Sequence, residues 1–300
     1  MKLNTAIISA AILLSVQAMA EPIMLAPPFE GLNNIDFSYS DFPSGDRSIS
    51  AILTATGSTE NIRIENICEP EGGDATIGNV ATTSKSISYG DILATTCIYK
   101  INHSGIGLNG TLYQTKIYQK TGKALKELTS LEELLSGYEG QLESGETSYY
   151  FYKDHEAFSE KLKLISENEN LDSIEIAQKI AIQTLRKDSA EAAGKYLSDE
   201  LISHLTEKYP LTKNNVQTYN DIGYVLVEAN KNKQALFILL PIEKISPQRL
   251  PLYLNIADAY WPSDKEKARE YYKKYKLLMI EKNKKNLIPE RVEQRIKEKQ

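Results

Sequence analysis

Two different hydrophobic periods divide the chain near Lys153. Before that point apolar residues alternate with polar ones or form short β-prone runs. Ile35, Phe37 and Tyr39 share one face of a predicted strand, and the turn at Pro43–Gly45 leads to a second over Ile49–Thr56. Ile62 and Ile64 continue the alternation up to Cys68. The sharpest hairpin sets Leu93, Thr95, Cys97, Tyr99 and Ile101 on one strand face, then a Gly-rich turn, then Tyr113, Thr115 and Ile117 on the return. Pro22, Pro27 and Pro28 predict an extended, irregular opening segment. Ser130–Glu133 reads as a capping box for a short helix that Gly137 can end. Tyr149–Tyr152 is a β-prone aromatic run, read as a buried strand in preference to an exposed stacking platform.

From Asp154 onward the spacing is helical. Asp154 caps a helix with Phe158, Leu162 and Ile165 on one face, placed to pack on the strand region as a joint. Asp172 is expected to cap the next, whose stripe is Ile174, Ala177, Ala181 and Leu185. A helix around Ala190–Leu197 and one capped by Ser198, with Leu201 and Leu205, complete this stretch before Pro210.

Two helical hairpins follow over residues 215–281. Tyr219, Ile222, Gly223 and Leu226 return 34 positions later as Tyr253, Ile256, Ala257 and Tyr260. Ala235 and Leu239 return one residue early as Ala268 and Tyr272, and Pro247 closes the first unit. Small residues at Gly223, Ala235, Ala257 and Ala268 are placed to let paired backbones approach. Pro241 is expected to bend its helix. The pattern resembles the tetratricopeptide repeat. It departs from that family in carrying Tyr for the first large aromatic and in being one residue short at Pro262–Asp264. Whether the helices from Asp172 are degenerate copies is left open. The resemblance implies a concave face built from the first helix of each hairpin. On that face the candidate partner-binding residues are Asn220, Tyr224, Asp258 and Trp261. Trp261, the only Trp, is read either as an exposed anchor or as hairpin packing. The basic and amide pairing that some family members use to clamp a peptide carboxylate is not found at these positions.

The expected class is therefore α+β: residues 21–153 a β-rich domain with a disulfide, residues 154–300 an α-helical hairpin array. Residues 1–20 read as a signal peptide, with Lys2, the apolar run Ala6–Val16 and the small-x-small pattern Ala18–Ala20 in order. The run is short of the roughly 20 residues of a membrane span, and no later stretch qualifies. Cleavage near Ala20 would give a periplasmic or secreted protein. In that compartment the only two cysteines, Cys68 and Cys97, read as a disulfide.

Charge narrows the partners. Residues 21–153 carry 9 Lys/Arg against 17 Asp/Glu, and residues 154–300 carry 25 against 23. The acidic first half argues against nucleic acid. The basic end, Lys265–Lys299, is interleaved with acids and reads as a solvated helix face.

Candidate chemistry is sparse. His103, His155 and His204 lie about 50 residues apart, so none pair at metal-ligand spacing. Nucleophile-elbow, zinc-protease and dinucleotide motifs are absent. No cofactor or metal is expected. The leading expectation is a non-catalytic, exported protein-binding protein, such as an inhibitor or immunity protein for an envelope-acting toxin or enzyme. An envelope-polymer hydrolase using two separated carboxylates and a structural or assembly factor of the envelope are the alternatives.

Overall fold

The computed structural model describes residues 22–298 except 44, 87 and 123. The signal peptide expected over residues 1–20 lies outside the described residues. The chain is α+β, with strands first and helices after.

Strands β1 (Ile23–Phe29), β2 (Leu32–Asp41), β3 (Arg47–Thr54) and β4 (Asn61–Cys68) form an antiparallel sheet in that order. The second sheet holds β5 (Thr76–Ser86), β6 (Gly90–His103), β7 (Leu108–Thr121) and β8 (Ala124–Glu127), then, after the short helix α1 (Thr129–Glu132), β9 (Gly137–Gln141) and β10 (Thr147–Ser148). Its order is β10-β9-β7-β6-β5, with β8 paired to β7. The inner faces meet in one core. Leu25, Phe29, Ile35, Ile49 and Leu53 of the first sheet pack with Leu93, Cys97 and Tyr99 of the second. The Cys68–Cys97 disulfide crosses this core and ties the last strand of the first sheet to a central strand of the second.

The second sheet is covered on its outer face as well. Ala81, Ile92, Ala94 and Ile117 pack with Leu128, Leu135 and the apolar stripe Phe158, Leu162 and Ile165 of α2 (His155–Ser166). Every residue from Ile92 to Cys97 is therefore buried, where alternation alone predicts only one buried face. Asp154 caps α2 by accepting from Ala157 N.

Four local expectations need correction. Pro27 and Pro28 lie within β1, which is tolerated because β1 is a sheet edge where a missing N–H leaves no ladder bond unmade. Tyr149–Tyr152 is not a strand; its side chains go to different walls. Tyr150 stacks on Tyr113 with centroids 4.1 Å apart and donates to Leu135 O at 2.8 Å. Ser130–Glu133 is not a capping box: α1 has Leu128 at its N-cap with no side-chain bond, and Glu132 accepts from Ile117 N across to β7 at 3.2 Å. Asp172 caps nothing. Ser173 performs that role, accepting from Ile176 N at 3.3 Å.

Released from capping, Asp172 becomes the centre of the joint between strands and helices. Its carboxylate lies 3.2 Å from Lys161 Nζ of α2, and both side chains are 3% exposed. The Tyr196 hydroxyl donates to Asp172 Oδ2, and the Tyr152 hydroxyl lies 3.4 Å from each carboxylate oxygen. Lys161 also donates to Asn170 O. Burial, and then the Asp172 charge, push both phenols far above the ordinary tyrosine range, so they stay protonated donors. A buried charge pair is stabilised by further hydrogen bonds, which here run from the two phenols to the carboxylate and from the ammonium to Asn170 O.

The helices beyond the joint stack as hairpins. They are α3 (Ile174–Lys187), α4 (Ala190–Tyr196), α5 (Asp199–Lys208), α6 (Val216–Glu228), α7 (Asn232–Ile245), α8 (Leu250–Tyr260), α9 (Lys265–Glu281) and α10 (Glu290–Lys297). α6 packs on α7 and α8 on α9; α3 packs on α4 as a further, shorter pair. The first helices also stack in series, α3 on α6 and α6 on α8. All four small residues lie in seams. Ala235, Ala257 and Ala268 are fully buried, and Gly223 is buried against Leu239. A Cβ on Gly223 would sit 2.6 Å from Leu239 Cγ, well inside van der Waals contact.

Two stability measurements follow from this packing. Gly223→Ala is expected to cost about 1–3 kcal/mol in urea unfolding, through overpacking of the α6–α7 seam. Reducing Cys68–Cys97, which closes a sequence separation of 29, is expected to cost about 3–4 kcal/mol on the chain-entropy account. Unfolding with and without reductant checks the second value, since no other cysteine is present.

Candidate protein-docking groove

Helices α6, α8 and α10 bring three of the four candidate residues to one cleft of about 430 Å³. Tyr224 comes from the exposed side of α6, Asp258 from α8, and Trp261 from the residue that ends α8. Glu228 and Asn230 extend the wall, and Arg291 and Arg295 of α10 close the far side. The cleft forms because Gly223 and Ala257 hold their helices tightly to the second helix of each hairpin. The residue after each, Tyr224 and Asp258, then faces the open side.

Asp258 is the polar hub. Its Oδ2 takes Arg291 Nη2 at 2.8 Å, and its Oδ1 takes Arg295 Nη1 at 2.6 Å and the Tyr272 hydroxyl at 2.5 Å. This hydrogen bonding holds the Arg291 guanidinium above its ordinary range against partial burial. Burial, followed by Asp258 as acceptor, raises the Tyr272 phenol. Asp258 is thus a saturated internal ligand that clips α10 onto the array. Asp258, expected from the sequence as a candidate partner-binding residue, does line the cleft, with its carboxylate already engaged by α10 and Tyr272.

Trp261 combines the two roles left open for it. It is half-buried, edge-on to Tyr272 with centroids 6.0 Å apart. Two cations lie over its ring, Arg295 at 4.8 Å and Lys265 at 4.9 Å. Part of its surface still lines the cleft. Tyr224 is 39% exposed, and burial followed by the Glu228 charge raises its phenol.

Asn220 is not on this surface. It is 2% exposed, and its Oδ1 accepts from Asn255 Nδ2 at 3.4 Å across the α6–α8 contact. The position faces the neighbouring first helix, where the two amides pair with each other. Gln178 Nε2 donating to Asp221 Oδ2 at 2.6 Å makes the equivalent polar link between α3 and α6.

Comparison with known proteins adds little to this geometry. No family model matches the chain, and no curated protein matches it. Among solved structures, the crystal structure of MamA is similar over 48% of this chain and 84% of that one, at 14% identity and a TM-score of 0.32. That likeness is too distant to carry an argument about fold or partner.

Arg291 and Arg295 are the site residues that sequence reasoning missed. They are spaced i, i+4 on a short helix within a mixed-charge segment, which reads as solvated surface. The available signal was Val292, with Ile288 and Ile296 four residues to either side: an apolar stripe showing that α10 packs on something and so presents its neighbours inward. Among the described residues no group of three or more His, Cys, Asp and Glu is placed to hold a metal ion, and no helix is long and apolar enough to cross a membrane. His103 and His155 are exposed and far from the cleft in sequence, and His204 lies on α5, edge-on to Tyr209.

Proposed function

We propose that this chain is a non-catalytic protein-binding protein that works after export, in the periplasm or outside the cell. The observation that carries the reading is the cleft itself. An aromatic pair, Tyr224 and Trp261, stands beside two arginines on a rigid helical stack. Interface energetics concentrate in such aromatic and arginine anchors. The hairpins that frame it resemble tetratricopeptide repeats, which supports a segment of another protein as the occupant. The Cys68–Cys97 disulfide supports an oxidising compartment, as does the N-terminal pattern read as an export signal.

A finer reading is an inhibitor or immunity protein for an envelope-acting toxin or enzyme. Its support is the charge of the strand region, 9 Lys/Arg against 17 Asp/Glu over residues 21–153, which suits a basic target. On that reading the sandwich and the cleft would both contact the partner.

The test is quantitative binding to a partner identified by affinity capture from the native envelope fraction and then purified. Tyr224→Ala with Trp261→Ala is expected to weaken binding by about 2 kcal/mol or more, roughly 30-fold, with the sandwich unchanged. Unaltered affinity in the double variant would move the docking surface away from the cleft.

A further inference from the structure

The outer face of α9 exposes apolar side chains among lysines. Leu277 and Ile280 on α9 are 66% and 42% exposed, and Leu287 in the 3₁₀ turn Lys285–Leu287 is 63% exposed. Spacings of four and three residues place Lys273, Leu277 and Ile280 along one exposed stripe of α9, and Lys282, Lys284 and Lys285 follow just past its end. Lys273 to Lys285 holds six lysines and a single acid, Glu281. Lys274 and Lys276 are used internally, on Glu243 and Glu293. Lys273, Lys282, Lys284 and Lys285 are exposed and make no ion pair among the described residues.

We propose that this face docks reversibly on an anionic phospholipid bilayer. Leu277 and Ile280 enter the boundary between headgroups and acyl chains, and Lys273 and the lysines that follow α9 meet lipid phosphates. Three observations select this occupant. The exposed apolar pair on α9, Leu277 and Ile280, is small, whereas a stable protein interface needs an area on the order of 1,000 Å² and its core is depleted of lysine. Lysine stems lying beside an apolar patch, with their ammonium groups in water, match the interfacial zone of an anionic membrane. The opposite face of α9, with Ala268, Tyr272 and Tyr275, is committed to the array, so insertion is limited to the exposed side. The charge distribution agrees, because the excess of acids lies in the sandwich, joined to the array through α2 and α3 at the other end of the helical stack.

Cosedimentation with vesicles tests this, using the chain from Glu21 onward. That chain holds every core described above and leaves out the apolar run Ala6–Val16, which would itself bind vesicles. Binding is expected to phosphatidylcholine vesicles containing phosphatidylglycerol, to weaken as salt rises, and to be negligible with phosphatidylcholine alone. Leu277→Glu with Ile280→Glu is expected to lower the partition coefficient at least about tenfold. Its melting temperature should stay unchanged, since both side chains are exposed. No binding to the anionic vesicles, or equal binding to both kinds, would overturn the proposal. So would a solution dimer that the same variant disrupts while vesicles stay unbound, which would make the face a contact between copies of the chain.

Discussion

The Lys161–Asp172 pair sets the relation between the two halves of this protein. Two opposite charges buried at 3.2 Å tolerate little displacement, because any separation leaves each one unpaired in a low-dielectric interior. Lys161 belongs to the helix that seals the outer face of the second sheet, and Asp172 immediately precedes the first helix of the array. Tyr152, from the irregular segment after the last strand, and Tyr196, from α4, hydrogen-bond the same carboxylate. Three segments thus converge on one side chain. The aromatic contact of Phe151 with Tyr196, centroids 5.0 Å apart, and the ion pairs of Lys153 with Glu139 and Asp188 flank it.

From that joint outward, the array depends on how closely its helices approach. Gly223 and three buried alanines bring each hairpin together, so that the adjacent Tyr224 and Asp258 face the cleft. Polar links between successive first helices, Gln178 to Asp221 and Asn255 to Asn220, hold the stacking register. At the far end α10 covers the last hairpin. Its Val292 is fully buried, and its two arginines close on Asp258. The cleft is therefore bounded at one end by the chain's own helix, and its shape is set before any partner arrives.

Elements with one dominant period were legible in the sequence. Strands β2, β3, β4, β6 and β7 and helices α2 to α9 fall where alternation and helical stripes place them. The disulfide also followed from a lone cysteine pair. Strand β5 was not legible, because Thr76–Ser86 is largely polar or small and owes its burial to α2 and β1 packing on it. The aromatic run Tyr149–Tyr152 misled because β propensity reports fitness for a half-buried surface and does not record three rings leaving in different directions. At the site, Tyr224 and Trp261 were legible from the repeat register. Asn220 was not, since a stripe argument cannot show which side of a helix another helix covers. Asp172 reads as a cap from local chemistry alone; its true partners are 11 and 24 residues away and meet only in three dimensions.

The most direct measurement is a double-mutant cycle on the joint, with Lys161→Met and Asp172→Leu singly and together, followed by calorimetric unfolding. Each single change should cost about 3–5 kcal/mol and split unfolding into separate transitions for sandwich and array, while the double variant recovers a substantial part of that loss. Single variants that melt in one transition within about 0.5 kcal/mol of the unaltered protein would contradict the account, since the two halves would then be held together by something other than this pair.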